Sequence, residues 1–219
     1  MPLLENKIIA IENLWLSYAD KSVLEDINLD IFRGDFLLVS GPNGGGKTSL
    51  LRTILGLQKP TRGAVYFFEE GRQVPSLDIG YLPQKNSIDS RFPITVEEVV
   101  ASGLMGKGSR RPKSVERREI DYMLDLMGIT SLREKPIGVL SGGQLQRTLF
   151  GRALISHPAM LILDEPSSYI DRQFEVRMVE ILRELSSRDT TIMMVSHEIE
   201  PFITLSNRNL YIDHTLGDR

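Results

Sequence analysis

The chain of 219 residues contains no cysteine, no excess of basic residues and no long apolar run. The absence of cysteine excludes disulfide bonds and thiolate metal sites, and it fits a reducing compartment. The formal net charge of −3 argues against a nucleic-acid partner, since such partners are bound through a surplus of Lys and Arg. No run approaches the roughly 18 apolar residues of a membrane-spanning helix, and the first residues lack a signal-peptide pattern. If the protein serves a membrane, we expect it to do so through a partner.

What is present is an ordinary globular composition, with 41% hydrophobic and 25% charged residues. The length suits one domain with a subdomain. Apolar periodicity changes from strand-like to helix-like at about residue 85 and returns to an alternating α/β pattern at about residue 145. We therefore predict a single α/β domain over residues 1–219. Its core would comprise 1–84, with an antiparallel β subdomain, and 145–219, and a helical subdomain would be inserted at about 85–144.

A phosphate-binding loop is the most specific feature of the sequence. The apolar run Phe36–Ser40 leads into Gly41–Thr48, which matches G-x-x-x-x-G-K-[S/T], and a helical pattern follows at once. Glycines allow backbone N–H groups to surround an anion, and the helix start adds unpaired donors and a positive dipole end. Lys47 would reach the β- and γ-phosphates, and the Thr48 hydroxyl would bind Mg²⁺. The predicted phosphate-binding residues are Gly41, Pro42, Asn43, Gly44, Gly45, Gly46, Lys47, Thr48 and Ser49.

A second site signal is the apolar strand Met160–Asp164, which ends in Asp164 and Glu165. A continuously apolar strand is typical of a parallel sheet buried on both faces, and ligands collect at the carboxyl ends of such strands. Asp164 is predicted to serve Mg²⁺, and Glu165 to polarise an attacking water. The alternative is a strand that simply ends in a solvated acidic turn, which the phosphate loop upstream makes the weaker interpretation.

The stretch Leu140–Gln144, Leu-Ser-Gly-Gly-Gln, is a second glycine-flanked helix start that could donate N–H groups to an anion. With it, the chain resembles the ATP-binding-cassette (ABC) ATPases over nearly its whole length, and the motifs follow the family's order. In that family Gly41–Thr48 corresponds to the Walker A loop, and Asp164 and Glu165 to Walker B and the catalytic glutamate. The signature motif corresponds to Ser141, Gly142, Gly143 and Gln144.

The resemblance also implies roles for residues that would mean little alone. Tyr18 falls at the position of an aromatic residue that stacks on adenine, Gln84 at the Q-loop and His197 at the switch histidine. Taken singly, each is more often a packing, solvated or capping residue. The resemblance assigns catalysis to Glu165, His197, Lys47 and Gln84. It assigns the binding of Mg²⁺ to Thr48, Gln84 and Asp164. Besides these residues and the phosphate loop, it assigns ATP binding to Tyr18, Asp171 and the signature residues.

One departure from the family concerns the loop that crosses to the other subunit. Its usual sequence is Ser-Ala-Leu-Asp, whereas this chain has Ser168-Tyr169-Ile170-Asp171. Asp171 is retained, but Tyr169 is bulkier than the usual alanine, which puts the packing of the dimer seam in question. Relatives often extend further past Asp213, so the resemblance leaves a natural or engineered truncation at the carboxyl end as an alternative.

The resemblance implies a homodimer formed on ATP binding, in which the signature of one chain faces the ATP of the other. A cassette without a membrane span resembles the separate ATPase of a bacterial importer, on the inner face of the cell membrane. Its helical subdomain would contact an integral permease, and a substrate-binding protein would act indirectly. The stretch from Gln84 to Val100 resembles the metal-uptake branch, which serves zinc, manganese or iron chelates, the ion being bound by other subunits. The alternatives are a lipoprotein-releasing or other exporter-like system, or a soluble non-transport ABC ATPase.

Overall fold

The computed structural model describes residues 6–19, 21–84, 93–105, 114–197 and 200–218. The strands in chain order are β1 (Lys7–Tyr18), β2 (Lys21–Phe32), β3 (Phe36–Ser40), β4 (Arg62–Glu69), β5 (Arg72–Val74), β6 (Ile79–Leu82), β7 (Met160–Asp164), β8 (Thr191–Val195), β9 (Arg208–Asp213) and β10 (Thr215–Asp218). The helices are α1 (Lys47–Ile54), α2 (Val96–Ser102), α3 (Ser114–Leu126), α4 (Gly142–Leu154) and α5 (Arg172–Ser187). Short 3-10 turns lie at Thr130–Leu132 and Ile137–Val139.

The central sheet has the strand order β10-β9-β3-β8-β7-β6, and its strands are parallel except for the β9–β10 hairpin. Every residue of β7 and β8 is buried, as the continuous apolar runs predicted. Because these strands are parallel, Ser40, Leu82, Asp164 and Val195 end at one edge of the sheet. That edge carries the site.

The predicted antiparallel subdomain is a separate sheet of order β2-β1-β4-β5. Alternating residues of β2 are buried, including Ile27, Leu29 and Ile31, as is usual for a strand with one face on a core. These side chains join Leu50 and Leu51 of α1 in one hydrophobic cluster that also reaches the central sheet. This four-stranded antiparallel sheet, called the flap sheet below, therefore packs directly on α1, the helix that follows the phosphate loop. Strand β5 and the β9–β10 hairpin were not predicted, since both are short and lack a clear alternation.

Helices α2, α3 and α4 pack around a second hydrophobic cluster, which also includes residues of the central sheet. Thr95 forms a capping box with Glu98 at the start of α2. Because this cluster is continuous with the core, the boundaries near 85 and 144 stay a prediction. Residues 85–92, within the stretch likened to metal-uptake proteins, lie outside the described residues. Among the described helices, none is both long and apolar enough to cross a bilayer.

Candidate functional site

The phosphate loop joins β3 to α1, and α1 begins without a side-chain cap. Gly46 stands at the N-cap position with φ 100°, so the first amides of α1 receive no acceptor from a capping side chain. The Nζ of Lys47 donates to the carbonyl oxygens of Gly41 and Pro42, both at 2.9 Å. The amine thus closes the loop on itself, while the helix start keeps its donors for an anion.

Two glycines of the loop are required by packing. A Cβ on Gly46 would lie 2.6 Å from Cδ2 of Leu24 and 2.7 Å from the carbonyl oxygen of Val23. A Cβ on Gly41 would lie 2.0 Å from the carbonyl oxygen of Ile212. Backbone from β2 and β9 therefore encloses the loop from both sides. Any larger residue at position 41 or 46 would therefore displace the phosphate loop from these strands.

Asp164 lies opposite the loop at the end of β7 and is 1% exposed. Its Oδ1 accepts a hydrogen bond from the Thr48 hydroxyl at 3.3 Å. Its buried Oδ2 has no hydrogen-bond partner among the described residues. Burial raises the pKa of Asp164, with the Glu165 carboxylate adding to the rise and the Thr48 bond opposing it. A buried carboxylate oxygen with no donor beside a hydroxyl is a donor set that suits Mg²⁺.

Burial likewise lowers the pKa of Lys47, although Glu165 and Asp164 oppose that effect. The site therefore holds an ammonium group and two carboxylates whose charges are poorly solvated. Burial disfavours the ionised forms of both Lys47 and Asp164. Charged groups of opposite sign that are poorly solvated in a cleft are typical of functional sites, where a bound ligand or ion stabilises their charges.

Glu165 follows β7 with φ 52°, a left-handed conformation that is uncommon for glutamate. Its backbone N–H donates to the Val195 carbonyl oxygen at 2.9 Å, which ties it to the end of β8. Its Oε2 accepts from the backbone N–H of His197 at 3.3 Å. Nε2 of His197 lies 3.3 Å from Oε1 of Glu165, but the approach is not aligned as a hydrogen bond. The backbone thus turns the carboxylate toward the histidine.

These residues line one cleft of about 310 Å³, which lies within the usual range for small-ligand sites. Tyr18 is 46% exposed on the flap side, and Gln84 follows β6 on the opposite side. The predicted residues that line this cleft are Tyr18, Asn43, Gly44, Gly46, Lys47, Thr48, Ser49, Gln84, Asp164, Glu165 and His197. Of the remaining loop residues, Gly41 and Pro42 hold the lysine, and Gly45 packs against β9.

The predicted signature residues lie in a different cleft of the same chain. Ser141, Gly142, Gly143, Gln144 and Asp171 line it together with Gly128, Ile129, Ser131, Leu132, Arg147 and Tyr169. The two glycine-flanked helix starts are therefore not brought together within one chain.

The start of α4 is capped by its own side chains. The Ser141 hydroxyl accepts from the backbone N–H of Gln144 at 3.3 Å, and the Gln144 side chain accepts from the backbone N–H of Ser141 at 3.0 Å. The sequence predicted a helix start with donors available to an anion. In this chain the capping box occupies two of them, which leaves the amides of Gly142 and Gly143 at the helix end.

Tyr169 and Arg147 shape this second cleft. Tyr169 is 76% exposed, and its backbone has φ 71°, which is strained for a bulky residue. A Cβ on Gly142 would lie 3.3 Å from Cβ of Tyr169, so the tyrosine lies directly against the helix start. Arg147 forms an ion pair with Asp171 and lies 4.4 Å above the Phe174 ring. Asp171 in turn caps α5 through the backbone N–H of Phe174.

Sequence reasoning missed Val23, Val195 and Arg147 as lining residues. Val23 and Val195 are apolar strand residues whose pattern is that of ordinary core positions. Their place in the cleft depends on how the flap and central sheets meet. Arg147 had a readable signal, since it lies on the same helix face as Gly143, one turn after the motif.

A family model and the sequences of known proteins identify the same family. The family model described as ABC transporter matches residues 24–168. A probable metal transport system ATP-binding protein of Chlamydia pneumoniae is 39% identical over 95% of this chain and 87% of its own length. The zinc uptake system ATP-binding protein ZurA of Listeria innocua is 37% identical over 97% of this chain and 82% of its own length.

Two solved structures extend the comparison to the fold. A metal-chelate type ABC transporter in an inward-facing conformation aligns with a TM-score of 0.78 at 28% identity, over 97% of this chain and 84% of that one. A dimeric ATP-binding cassette in a post-hydrolysis state, bound to ADP and Pi, aligns with a TM-score of 0.82 at 24% identity, over 96% and 98%. The latter supports the fold alone.

Proposed function

We propose, from the premise that this chain belongs to the ABC transporter family as one of its ATPases, that it powers import of a metal ion or metal chelate through a separate permease. The observation that carries this proposal is the similarity to proteins named for metal transport and zinc uptake, at 39% and 37% identity over at least 95% of the chain. That similarity favours the metal-uptake alternative over an exporter-like or non-transport ATPase.

ATP would bind with its phosphates at the uncapped start of α1 and its base toward Tyr18. Phosphoryl transfer needs mainly positioning and neutralisation of the charge on the phosphate oxygens. The free amides of the helix start and the Lys47 amine supply donors on one side. To reach a phosphate, the amine exchanges its bonds to the neutral Gly41 and Pro42 carbonyls for bonds to anionic phosphate oxygens, in which both partners are charged.

Mg²⁺ fits the residues that face the loop. Asp164 offers a buried oxygen without a donor, and the Thr48 hydroxyl lies beside it. We assign the ion to Thr48, Asp164 and Gln84, the last of which lines the same cleft. When bound, Mg²⁺ neutralises charge on the β- and γ-phosphate oxygens. It would also balance the carboxylate pair formed by Asp164 and Glu165.

Glu165 is the proposed general base, and His197 the residue that holds the γ-phosphate and the attacking water. The His197 amide binds Oε2 of Glu165, which directs the carboxylate, and leaves Oε1 without a hydrogen-bond partner among the described residues. Oε1 is thus the atom that would take a proton from water as its oxygen attacks the γ-phosphorus and the bond to the β-γ bridging oxygen breaks.

The second cleft requires a second chain. One chain contains a lysine-bearing loop and a signature helix start, but in separate clefts. We propose that two copies associate head to tail when ATP binds, so that Ser141–Gln144 and Asp171 of one copy complete the phosphate site of the other. The Gly142 and Gly143 amides are the donors that the capping box leaves for this contact.

The remaining partners follow from the same proposal. The permease would contact the helical region that contains α2 and α3, and a substrate-binding protein would deliver the cargo to the permease. The protein would then lie on the cytoplasmic face of the membrane. No nucleic acid is involved, consistent with the net charge of −3.

A metal-accumulation assay tests the import proposal. Cells that lack this ATPase are complemented with the wild-type chain, with Glu165→Gln or with the matched control Glu180→Gln, which changes an exposed ion pair on α5. Uptake of radiolabelled zinc, manganese and iron is measured at limiting concentrations. We expect wild type and Glu180→Gln to restore uptake of one of these ions and Glu165→Gln to fail. Equal accumulation of all three ions with and without the wild-type chain would refute metal import while leaving the ATPase assignment intact.

A further inference from the structure

The turn between β9 and β10 consists of one residue, His214, whose backbone has φ 61°. It belongs to no motif of the nucleotide site and is partly buried. Its strands pair through Asp213 and Thr215 on either side, so the turn is tightly held. A histidine in a left-handed conformation is uncommon, and such positions merit a search for a functional reason.

Three hydrogen bonds join this one residue to the phosphate loop and to β2. Its backbone N–H donates to the Gly45 carbonyl oxygen, within the loop, at 3.0 Å. Its backbone carbonyl accepts from the N–H of Glu25, on β2, at 2.8 Å. Its ring atom Nδ1 lies 3.2 Å from the Val23 carbonyl oxygen, also on β2. The hairpin therefore connects the phosphate loop to the strand beside the base.

The partner of the ring determines its tautomer. A backbone carbonyl oxygen only accepts, so Nδ1 of His214 must carry the proton. The ring therefore acts as a hydrogen-bond donor to β2.

The Val23 carbonyl is close to the nucleotide cleft. Val23 lines the cleft with Tyr18, and its carbonyl oxygen would lie 2.7 Å from a Cβ on Gly46. A shift of β2 would therefore move the base side of the cleft relative to the start of α1. The only side-chain bond that His214 makes in the described part of the chain is directed at this carbonyl.

We propose that His214 is a positioning residue for ATP: its Nδ1–H holds β2 against the phosphate loop and thereby sets nucleotide affinity. This inference rests on the proposed function, in which the cleft between Tyr18 and α1 binds ATP. The ring touches neither the nucleotide nor the reacting atoms. It acts through Val23, and so it changes binding more than the chemical step.

The test compares variants of the full chain. His214→Gly removes the ring without penalising φ 61°, since glycine adopts this conformation freely. His214→Asn tolerates the same backbone conformation and places an amide N–H where Nδ1 was. The matched control is His157→Gly, because His157 is also a histidine with positive φ (50°), but it is exposed and faces Glu119 instead.

The readouts are the Kd of a fluorescent ATP analogue with Mg²⁺, KM and kcat for ATP hydrolysis, and the thermal midpoint without nucleotide. Loss of one hydrogen bond of ordinary strength predicts that His214→Gly raises Kd and KM about fivefold. We expect kcat at saturating ATP to stay within about twofold, and His214→Asn to recover most of the affinity. We expect His157→Gly to bind like wild type.

Unchanged affinity in His214→Gly would overturn the proposal. Equal loss in His157→Gly, or no recovery in His214→Asn, would also overturn it, because either result shows that the directed bond is not the cause. A fall in kcat as large as the rise in KM would do the same. A wild-type chain that binds no ATP analogue would instead refute the proposed function itself.

Discussion

The two glycine-flanked helix starts of this chain differ in how their first backbone N–H groups, which have no acceptor within the helix, are satisfied. At α1, Gly46 provides no side-chain cap, so the first amides are left without such an acceptor. At α4, Ser141 and Gln144 cap each other, and Asp171 and Arg147 form an ion pair nearby. The first start is completed by a ligand, whereas the second is largely completed by its own residues.

The charged side chains show the same contrast: ionised forms are disfavoured near the start of α1 and favoured near the start of α4. Near α1, burial disfavours the ionised forms of Lys47 and Asp164. Near α4, the hydrogen bond from the Phe174 amide, with Arg147 adding to the effect, lowers the pKa of Asp171, which is an exposed carboxyl. The phosphate loop is therefore poorly satisfied without a bound anion, whereas the groups around the start of α4 satisfy one another.

The largest expected effect lies at the phosphate loop. Lys47→Ala should lower ATP hydrolysis about 100- to 1000-fold, as expected for loss of one preorganised donor to a reacting phosphate. Steady-state phosphate release measures it. Lys59→Ala, an exposed lysine beyond α1, is the matched control and should retain wild-type turnover. If Lys47→Ala kept more than a tenth of the activity, the contrast between a ligand-dependent and a self-satisfied helix start would not hold.

Steric fit gives the next effect. Gly46→Ala should destabilise the protein by about 3 kcal/mol, because it combines left-handed strain with overpacking against Leu24. Gly142→Ala should cost less, about 1 kcal/mol, because its closest contact would be a tight one at 3.3 Å from Cβ of the exposed Tyr169, and no left-handed backbone conformation is involved. Urea unfolding of the two variants measures the difference. Equal destabilisation would show that the two glycines serve the same steric purpose.

These two variants also show how far sequence reasoning reached. The G-K-T pattern with its flanking strand and helix predicted the uncapped start of α1, and the apolar run of β7 predicted where Asp164 would lie. The need for glycine at Gly41 comes from Ile212 of β9, which is distant in sequence. No local pattern reports such a long-range contact. The confirmed fold class therefore depended on local motifs, and the undetected details are contacts between elements far apart in the chain.

The same limit applies at the signature. Ser141 followed three residues later by Gln144 has the spacing of a capping box. The glycines of this stretch predicted open donors, whereas the structure shows the box formed. The spacing of Ser141 and Gln144 was the local signal for the cap, and the glycines between them were the competing one.

Capping supplies the third prediction. Ser141→Ala removes the hydroxyl that accepts from the Gln144 backbone N–H and should lower the free energy of unfolding by about 1 kcal/mol in the absence of nucleotide. Ser49→Ala, in the first turn of α1, should change it by less than about 0.5 kcal/mol, because no side chain caps the start of this helix. Chemical denaturation of nucleotide-free protein makes the comparison. Similar losses in both variants would contradict the assignment of α1 as the uncapped start.

The smallest expected effect is a gain in stability, in contrast to the losses above, and it concerns Asp164. Because burial raises its pKa in the folded protein, the folded state binds its proton more tightly than the unfolded state does. Stability must therefore fall as pH rises from the usual pKa of a carboxyl toward the raised one, and the penalty persists above it. Asp164→Asn removes this penalty and should stabilise nucleotide-free protein at neutral pH by about 1 kcal/mol or less.

Thermal unfolding between pH 4 and 8 measures this, with Asp125→Asn, an exposed carboxyl on α3, as the control for lost charge. The variant should also lose the rise in thermal midpoint that Mg²⁺ and ATP give the wild type, since Asp164 is the proposed ligand of the ion. Greater stability without nucleotide and less with it is the outcome that a site built for its ligand requires. If Asp164→Asn were less stable at every pH, the carboxylate would instead be a structural group, and the two helix starts would differ in geometry alone.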